Sequence, residues 1–239
     1  MRPAFYALAP TGWRAYLALL HPPYTLWHLS YVAVGAAVAP EFRPSRLAWT
    51  LLAFLLAMGV GAHALDELQG RPLQTRIPGA VLVVSATTSI TAAVAIGIVA
   101  AQQWTPWLLA FVAAGAFIVV AYNLELFAGR FHGPVWFATW WGAFPVLTAA
   151  LASAERLGVG AVLAAGFALL VSLVQQRLSS QVRKVRRRVS SVSGELELAD
   201  GSREPLTKAT LLSAPERSLQ TLAAAMVTLA CALVVARVA

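Results

Sequence analysis

Seven apolar stretches, at residues 25–40, 47–63, 79–101, 106–122, 134–153, 158–176 and 218–236, alternate with polar segments along the chain. Their length approaches the ~20 residues needed to cross a hydrocarbon layer about 30 Å thick, so they predict membrane-spanning helices. The first two are short for that layer and gain length from the flanking aromatics Trp27, Tyr31 and Trp49. Pro40, Pro44, Pro106 and Pro134 stand at span edges, where a missing N–H does least harm. Pro145 lies inside the fifth span and predicts a kink there. The pattern is that of an all-α polytopic transmembrane helix bundle of about seven spans.

Four segments follow from it. Residues 1–24, with Trp13, Arg14, Tyr16, Leu17, Leu19 and Leu20, read either as an interfacial helix with Thr11 as N-cap or as a mobile tail. Residues 25–176 form a six-span membrane core, 177–217 a basic loop, and 218–239 a C-terminal transmembrane helix. Inside the core, residues 63–78 and 123–133 are polar connections. The basic loop opens with Arg177 and Arg183-Lys184-Val185-Arg186-Arg187-Arg188, an expected extension of the sixth helix. Polar and apolar residues then alternate from Glu195 to Glu204 around Asp200-Gly201, which reads as a small β-hairpin or as a disordered loop.

Composition sharpens the picture. Of 239 residues, 59% are hydrophobic and 12% charged, and mean hydropathy is +0.70. Soluble domains carry roughly 25% charged residues, so this chain is expected in a membrane. Pro3, Pro10 and Arg14 interrupt the N-terminus, which does not resemble a cleavable signal peptide. The single Cys231 excludes an internal disulfide and a cysteine metal site. The net charge of +8 is read as topology, not as a nucleic-acid surface. With the N-terminus inside, fourteen of the eighteen basic residues fall on the inner side, and only Arg43, Arg46, Arg156 and Arg237 fall outside. That places the polar loops on the cytoplasmic side of a bacterial-type cell membrane.

The chemistry-bearing stretch is Gly59 to Pro78, where Asp66 and Glu67, two of ten acidic residues, precede Arg71 and Arg76. Ionisable residues beside a membrane cavity are costly, which favours a functional role for Asp66 over that of a solvated helix end. His63 lies one helical turn away and is otherwise an interfacial polar residue. His21, His28 and His132 lack metal-ligand spacing. Glu125 and Arg130 either face the same cavity or pair weakly at the surface. The Arg183–Arg188 cluster reads first as a topology signal and anionic-lipid contact, each cation worth about 1 kcal/mol there, and second as a diphosphate clamp. Trp136, Trp140 and Trp141 read as packing or anchoring residues, with carbocation stabilisation as the rarer use. No repeat and no mid-span acidic residue points to a transporter.

The order of His21-Pro22-Pro23-Tyr24, the Asp66 stretch, Tyr122-Asn123 and Gly142-Ala143-Phe144-Pro145 resembles the UbiA superfamily of intramembrane prenyltransferases over residues 14–176. The resemblance implies transfer of an isoprenoid from a prenyl diphosphate to a lipophilic acceptor with Mg²⁺. It implies Asp66 and Glu67 as metal-holding, catalytic carboxylates, and Arg71, Arg76, Tyr122, Asn123 and His63 as substrate-binding residues. Hard oxygen ligands suit that cation, which would stabilise the departing diphosphate. The chain departs from the family where Ala62 and Gly70 replace the outer residues of the first acidic motif. It departs again where Gln175, Gln176 and Ser179 occupy the region of the second, and in its seven spans against about nine. The alternative implied is a non-catalytic protein of that fold, which binds an isoprenoid lipid or serves as a subunit beside a membrane-protein partner.

Overall fold

Backbone N–H and C=O groups have no water to bond in lipid, so apolar stretches of this length close their hydrogen bonds internally as helices. The computed structural model describes Ala4, Tyr6 and residues 11–239. Its elements are α1 (Trp13–Leu19), α2 (Pro22–Val38), α3 (Pro44–Gly70), α4 (Gly79–Gln103), α5 (Leu108–Asn123), α6 (Pro134–Ala154), α7 (Val159–Arg188), β1 (Glu195–Glu197), β2 (Arg203–Pro205) and α8 (Lys208–Val238). All seven apolar stretches are helical, as α2 to α8. Five of them, α3, α4, α6, α7 and α8, are long and apolar enough to cross a membrane, and α5 is a shorter apolar helix.

The helices outrun the apolar runs at several ends. α3 continues through Gly70, so the connection expected at 63–78 begins only at Arg71, whose left-handed φ of 48° ends the helix. The polar residues of that stretch therefore stand on a rigid helix end. Its apolar Leu65 and Leu68 keep packing beyond Met58, which is why the helix does not stop there. α7 runs on to Arg188, as its basic extension predicts. α8 starts at Lys208, ten residues before the expected span, under a capping box between Thr207 and Thr210. In α1 the N-cap is Gly12, at φ 67°, in place of Thr11. The helix exposes Trp13 and Tyr16 and buries Ala15, Ala18 and Leu19. The rest of the predicted interfacial segment, residues 1–3, 5 and 7–10, lies outside the described residues. Residues 195–205 do form a hairpin, closed by Ser202 N–H donating to Asp200 Oδ1 at 2.9 Å.

The kink expected at Pro145 takes the form of a π-helical stretch. Residues Ala138–Ala143 widen the helix immediately before the proline. Proline cannot donate to the carbonyl four residues back, that of Trp141. His28 of α2 approaches this oxygen with Nδ1 at 2.8 Å and satisfies it as a donor. A second π-helical stretch, Leu55–Ala62, widens α3.

α2 is the centre of the bundle and packs on α3, α6, α7 and α8. Trp27, Tyr31 and Val32 are fully buried there. Trp27 Nε1 donates to the Tyr31 hydroxyl at 2.7 Å, and Ser172 Oγ of α7 donates to the same oxygen at 3.1 Å. At Gly35 the backbones of α2 and α6 are so close that a Cβ would overlap the Val146 carbonyl.

The helices alternate between two ends. At one end, Arg46 donates to Ala152 O and Glu155 Oε1 at 3.0 and 2.8 Å and lies over the Trp104 ring. Arg237 reaches Ala39 O and Pro40 O at the same end. The other end gathers α1, residues 71–78, residues 124–133 and the basic turns of α7. Leu65, Leu68, Ile77, Leu124 and Phe131 share one apolar cluster there, so the two short polar connections adjoin.

Gly35→Ala is expected to cost about 1–3 kcal/mol of overpacking. Gly166→Ala, whose Cβ meets open space, serves as the control. Thermal unfolding of the detergent-solubilised protein separates the two, and equal melting temperatures would refute the backbone contact.

Candidate functional site

The helical end of α3 places His63, Asp66 and Glu67 within about one turn of one another, but they face different surroundings. Glu67 is 0% exposed. Its Oε2 accepts from Leu73 N–H at 2.9 Å, and its Oε1 accepts from Thr75 N–H and Thr75 Oγ1 at 2.8 Å each. Arg71 completes this staple by donating to Ile77 O at 2.7 Å and Thr75 O at 3.4 Å. Glu67 and Arg71 thus organise the turn between α3 and α4. Arg76 is exposed. Asn123 is buried, and its Nδ2 donates to Val119 O at 2.7 Å, finishing α5.

Asp66 remains, half-buried, and its charge is felt together with Arg187, His132 and Arg183. Arg183 and Arg187 are four residues apart on α7 and share one face of the helix, while Arg186 points elsewhere and pairs with Glu216 of α8. Arg183 is steadied by its own helix, donating to Ser179 Oγ at 2.9 Å and Ser180 Oγ at 2.8 Å. Neither Arg183 nor Arg187 forms an ion pair with a carboxylate among the described residues. Of the five cations in this cluster, Arg186 is thus taken by a structural ion pair, and Arg183, Lys184, Arg187 and Arg188 are exposed.

Histidines form the adjoining wall. The His21 and His63 rings stack with centroids 4.2 Å apart and planes 10° from parallel. His63 Nδ1 donates to Gly59 O at 3.0 Å, and His21 Nδ1 lies 2.8 Å from the Tyr6 hydroxyl. His21 Nε2 is buried and has no hydrogen-bond partner among the described residues. Burial, His63 and the two arginines together push His21 well below its usual 6.5 and keep it neutral. Tyr122 stands opposite, its ring 4.4 Å from Trp141 and 4.5 Å from His132. Glu125 is exposed and lies 3.9 Å from His132 Nε2, at the rim, and Arg130 is exposed.

Between α3, α4, α5 and α6 lies a half-open apolar cavity of about 120 Å³. One water needs only about 10–15 Å³, so this space is more than a packing defect. Met58, Ile90, Phe111, Trp140, Trp141 and Phe144 line it, and both π-helical stretches contribute walls. Trp141 closes the end on which Tyr122 packs, and Tyr122 in turn feels the charges of Asp66 and Arg183. Two aromatic rings stand between this cavity and the polar end of the bundle.

A metal site of the resembled kind needs several oxygen ligands, and Mg²⁺ sites use one or two carboxylates with substrate phosphates. Among the described residues no group of three or more His, Cys, Asp or Glu side chains could hold a metal ion. Glu67 is committed to the turn, which leaves Asp66 as the one carboxylate of the expected pair outside that staple. This donor set does not fit a paired-carboxylate metal centre.

His21, Arg183 and Arg187 are the site residues that sequence patterns left among scattered or topological features. The four-residue spacing of the two arginines was the available signal. No protein-family model matches the chain, and no curated protein and no solved structure is significantly similar to it.

Glu67→Gln exchanges a charged acceptor for an amide whose NH₂ faces donors. Hydrogen bonds to charged groups contribute about 1.5–3 kcal/mol, so amide exchange at Leu73 and Thr75 should accelerate by about tenfold or more while α7 is unaffected. Unchanged exchange at both amides would refute the staple. His21 carries a lowered pKa in the fold, so protons below pH 6.5 bind the unfolded chain preferentially. Its contribution to stability is present above that value and is lost as pH falls. Melting temperature should therefore drop between pH 7 and pH 5.5, and His21→Asn should flatten that dependence.

Proposed function

We propose that this chain is a UbiA-like membrane protein with seven spans, its N-terminus and polar recess on the cytoplasmic side. It would transfer an isoprenoid from a prenyl diphosphate to a lipophilic acceptor. The observation that supports this most is the succession from apolar cavity, through Trp141 and Tyr122, to the polar end that carries Asp66, Arg183 and Arg187. An amphiphile with an isoprenoid tail and an anionic head matches that order of surroundings. The cytoplasmic placement rests on the distribution of basic residues.

In the reaction the allylic C–O bond breaks, and its electron pair leaves with the diphosphate into the recess. Trp141 and Tyr122 present aromatic faces to the allylic cation, an arrangement worth up to about 2 kcal/mol when desolvated. The acceptor's nucleophilic atom forms the new bond, and its proton passes to Asp66, the half-buried carboxylate at the recess. Glu67 and Arg71 hold the adjoining turn.

A second reading is a non-catalytic protein of the same fold, which binds an isoprenoid lipid or acts beside a membrane-protein partner. The single available carboxylate is what favours it. Asp66→Asn removes the proton acceptor, and general-base effects of about 10²–10⁴-fold set the expected loss of prenyl transfer. A fully active Asp66→Asn protein would sink the catalytic reading. Retained lipid binding in a wild-type protein that never turns over would establish the second.

A further inference from the structure

We infer that the recess is a metal-independent anion site, in which Arg183, Arg187 and the Nε2–H of His21 bind the phosphate of an isoprenoid mono- or diphosphate directly. The inference rests on the isoprenoid reading above but changes what recognises the head group.

Three observations converge. First, Arg183 and Arg187 share one exposed face of α7 and lack carboxylate partners among the described residues. Most cations at such a site would pair with an acid, and the neighbouring Arg186 does so with Glu216. Arg183 is held along its helix by Ser179 and Ser180, so its orientation is fixed before a ligand arrives. Arginine suits this task because its planar fork presents parallel N–H donors to phosphate oxygens.

Second, His21 supplies a donor from the other side. Three residues along, Tyr24 packs against the cluster that holds Val182 and Val185 of α7, which brings the start of α2 against the turns that carry the arginines. With Nδ1 accepting from the Tyr6 hydroxyl, the neutral ring carries its proton on Nε2, the atom with no partner among the described residues. A buried donor left unmade is costly, and a phosphate oxygen would satisfy it. The stacked His63 fixes the plane of that ring.

Third, the charge balance is wrong for a bridging divalent ion and right for a bare phosphate. Arg183, Arg187 and the turn's Arg71 outnumber Asp66 and Glu67 by one, so the balance there is positive. A paired-carboxylate metal site has the opposite sign before its metal binds. Where the acidic residues of the resembled family would fall on α7, Gln175 and Ser179 are buried instead.

The test uses the full chain in detergent, with farnesyl diphosphate as the probe in EDTA-containing buffer, and farnesol, inorganic diphosphate and phosphatidylglycerol vesicles as comparison ligands. Farnesyl diphosphate is expected to bind in EDTA, and added Mg²⁺ is expected not to tighten it. Arg183→Gln and Arg187→Gln should each weaken binding by about tenfold or more, the loss expected for a hydrogen bond to a charged group. Arg177→Gln, exposed on another face of α7, should not. The double lysine variant keeps the charge and should retain part of the affinity, which separates charge from misfolding. Competition by inorganic diphosphate alone identifies a soluble phosphate source, and competition by phosphatidylglycerol identifies a lipid head group; either supports the site. Binding that requires Mg²⁺ overturns the inference and leaves the prenyl-diphosphate reading standing. Equal binding of farnesol, indifferent to both arginines, overturns the anion site and keeps an isoprenoid pocket. No binding of any isoprenoid by the folded protein overturns both.

Discussion

The close approach of α2 to α6 is the constraint on which the rest of the bundle depends. Gly35 lets the two backbones touch at Val146, and about two turns away His28 donates to the Trp141 carbonyl that Pro145 strands. In lipid an unsatisfied carbonyl has no water to turn to, so this one hydrogen bond fixes where α6 widens. The widening sets the direction of Trp140 and Trp141. Those rings form one wall of the apolar cavity, and Trp141 forms the floor under Tyr122. A packing requirement in the bundle centre is thereby converted into the shape of a candidate site.

The polar end shows a division of labour within a short sequence. Adjacent residues Asp66 and Glu67 differ by about 100° around the helix. One closes a turn with three hydrogen bonds, and the other looks toward two arginines. The same division separates Arg186 from Arg183 and Arg187. π-helical stretches are frequent at functional sites because they offset side chains by part of a turn, and here one lies in each of two helices that line the cavity.

Much of the architecture was legible because apolar run length is a direct physical signal in lipid. The seven helical stretches, the extension of α7 and the irregularity at Pro145 follow from composition and local rules. The helix ends were less legible. α3 and α8 continue past their apolar runs because Leu65 and Leu68 pack, and because Thr207 and Thr210 cap, neither of which hydropathy records. Asp66 could be singled out as a costly charge. The role of Glu67 could not, since its partners Leu73 and Thr75 are backbone donors brought near by the turn itself. His21 and the two arginines are separated by more than 160 residues, and only the bundle makes them neighbours.

The ion pair between Arg186 and Glu216 ties the projecting turns of α7 to the first turns of α8. Its side chains are 12% and 14% exposed, so it is largely shielded from solvent screening. The pair sits on the same turns of α7 that carry Arg183 and Arg187, and the small hairpin connects the two helices it joins. The first ten residues of α8, through Leu212 and Glu216, thus help to hold the turns of α7 that carry both cations.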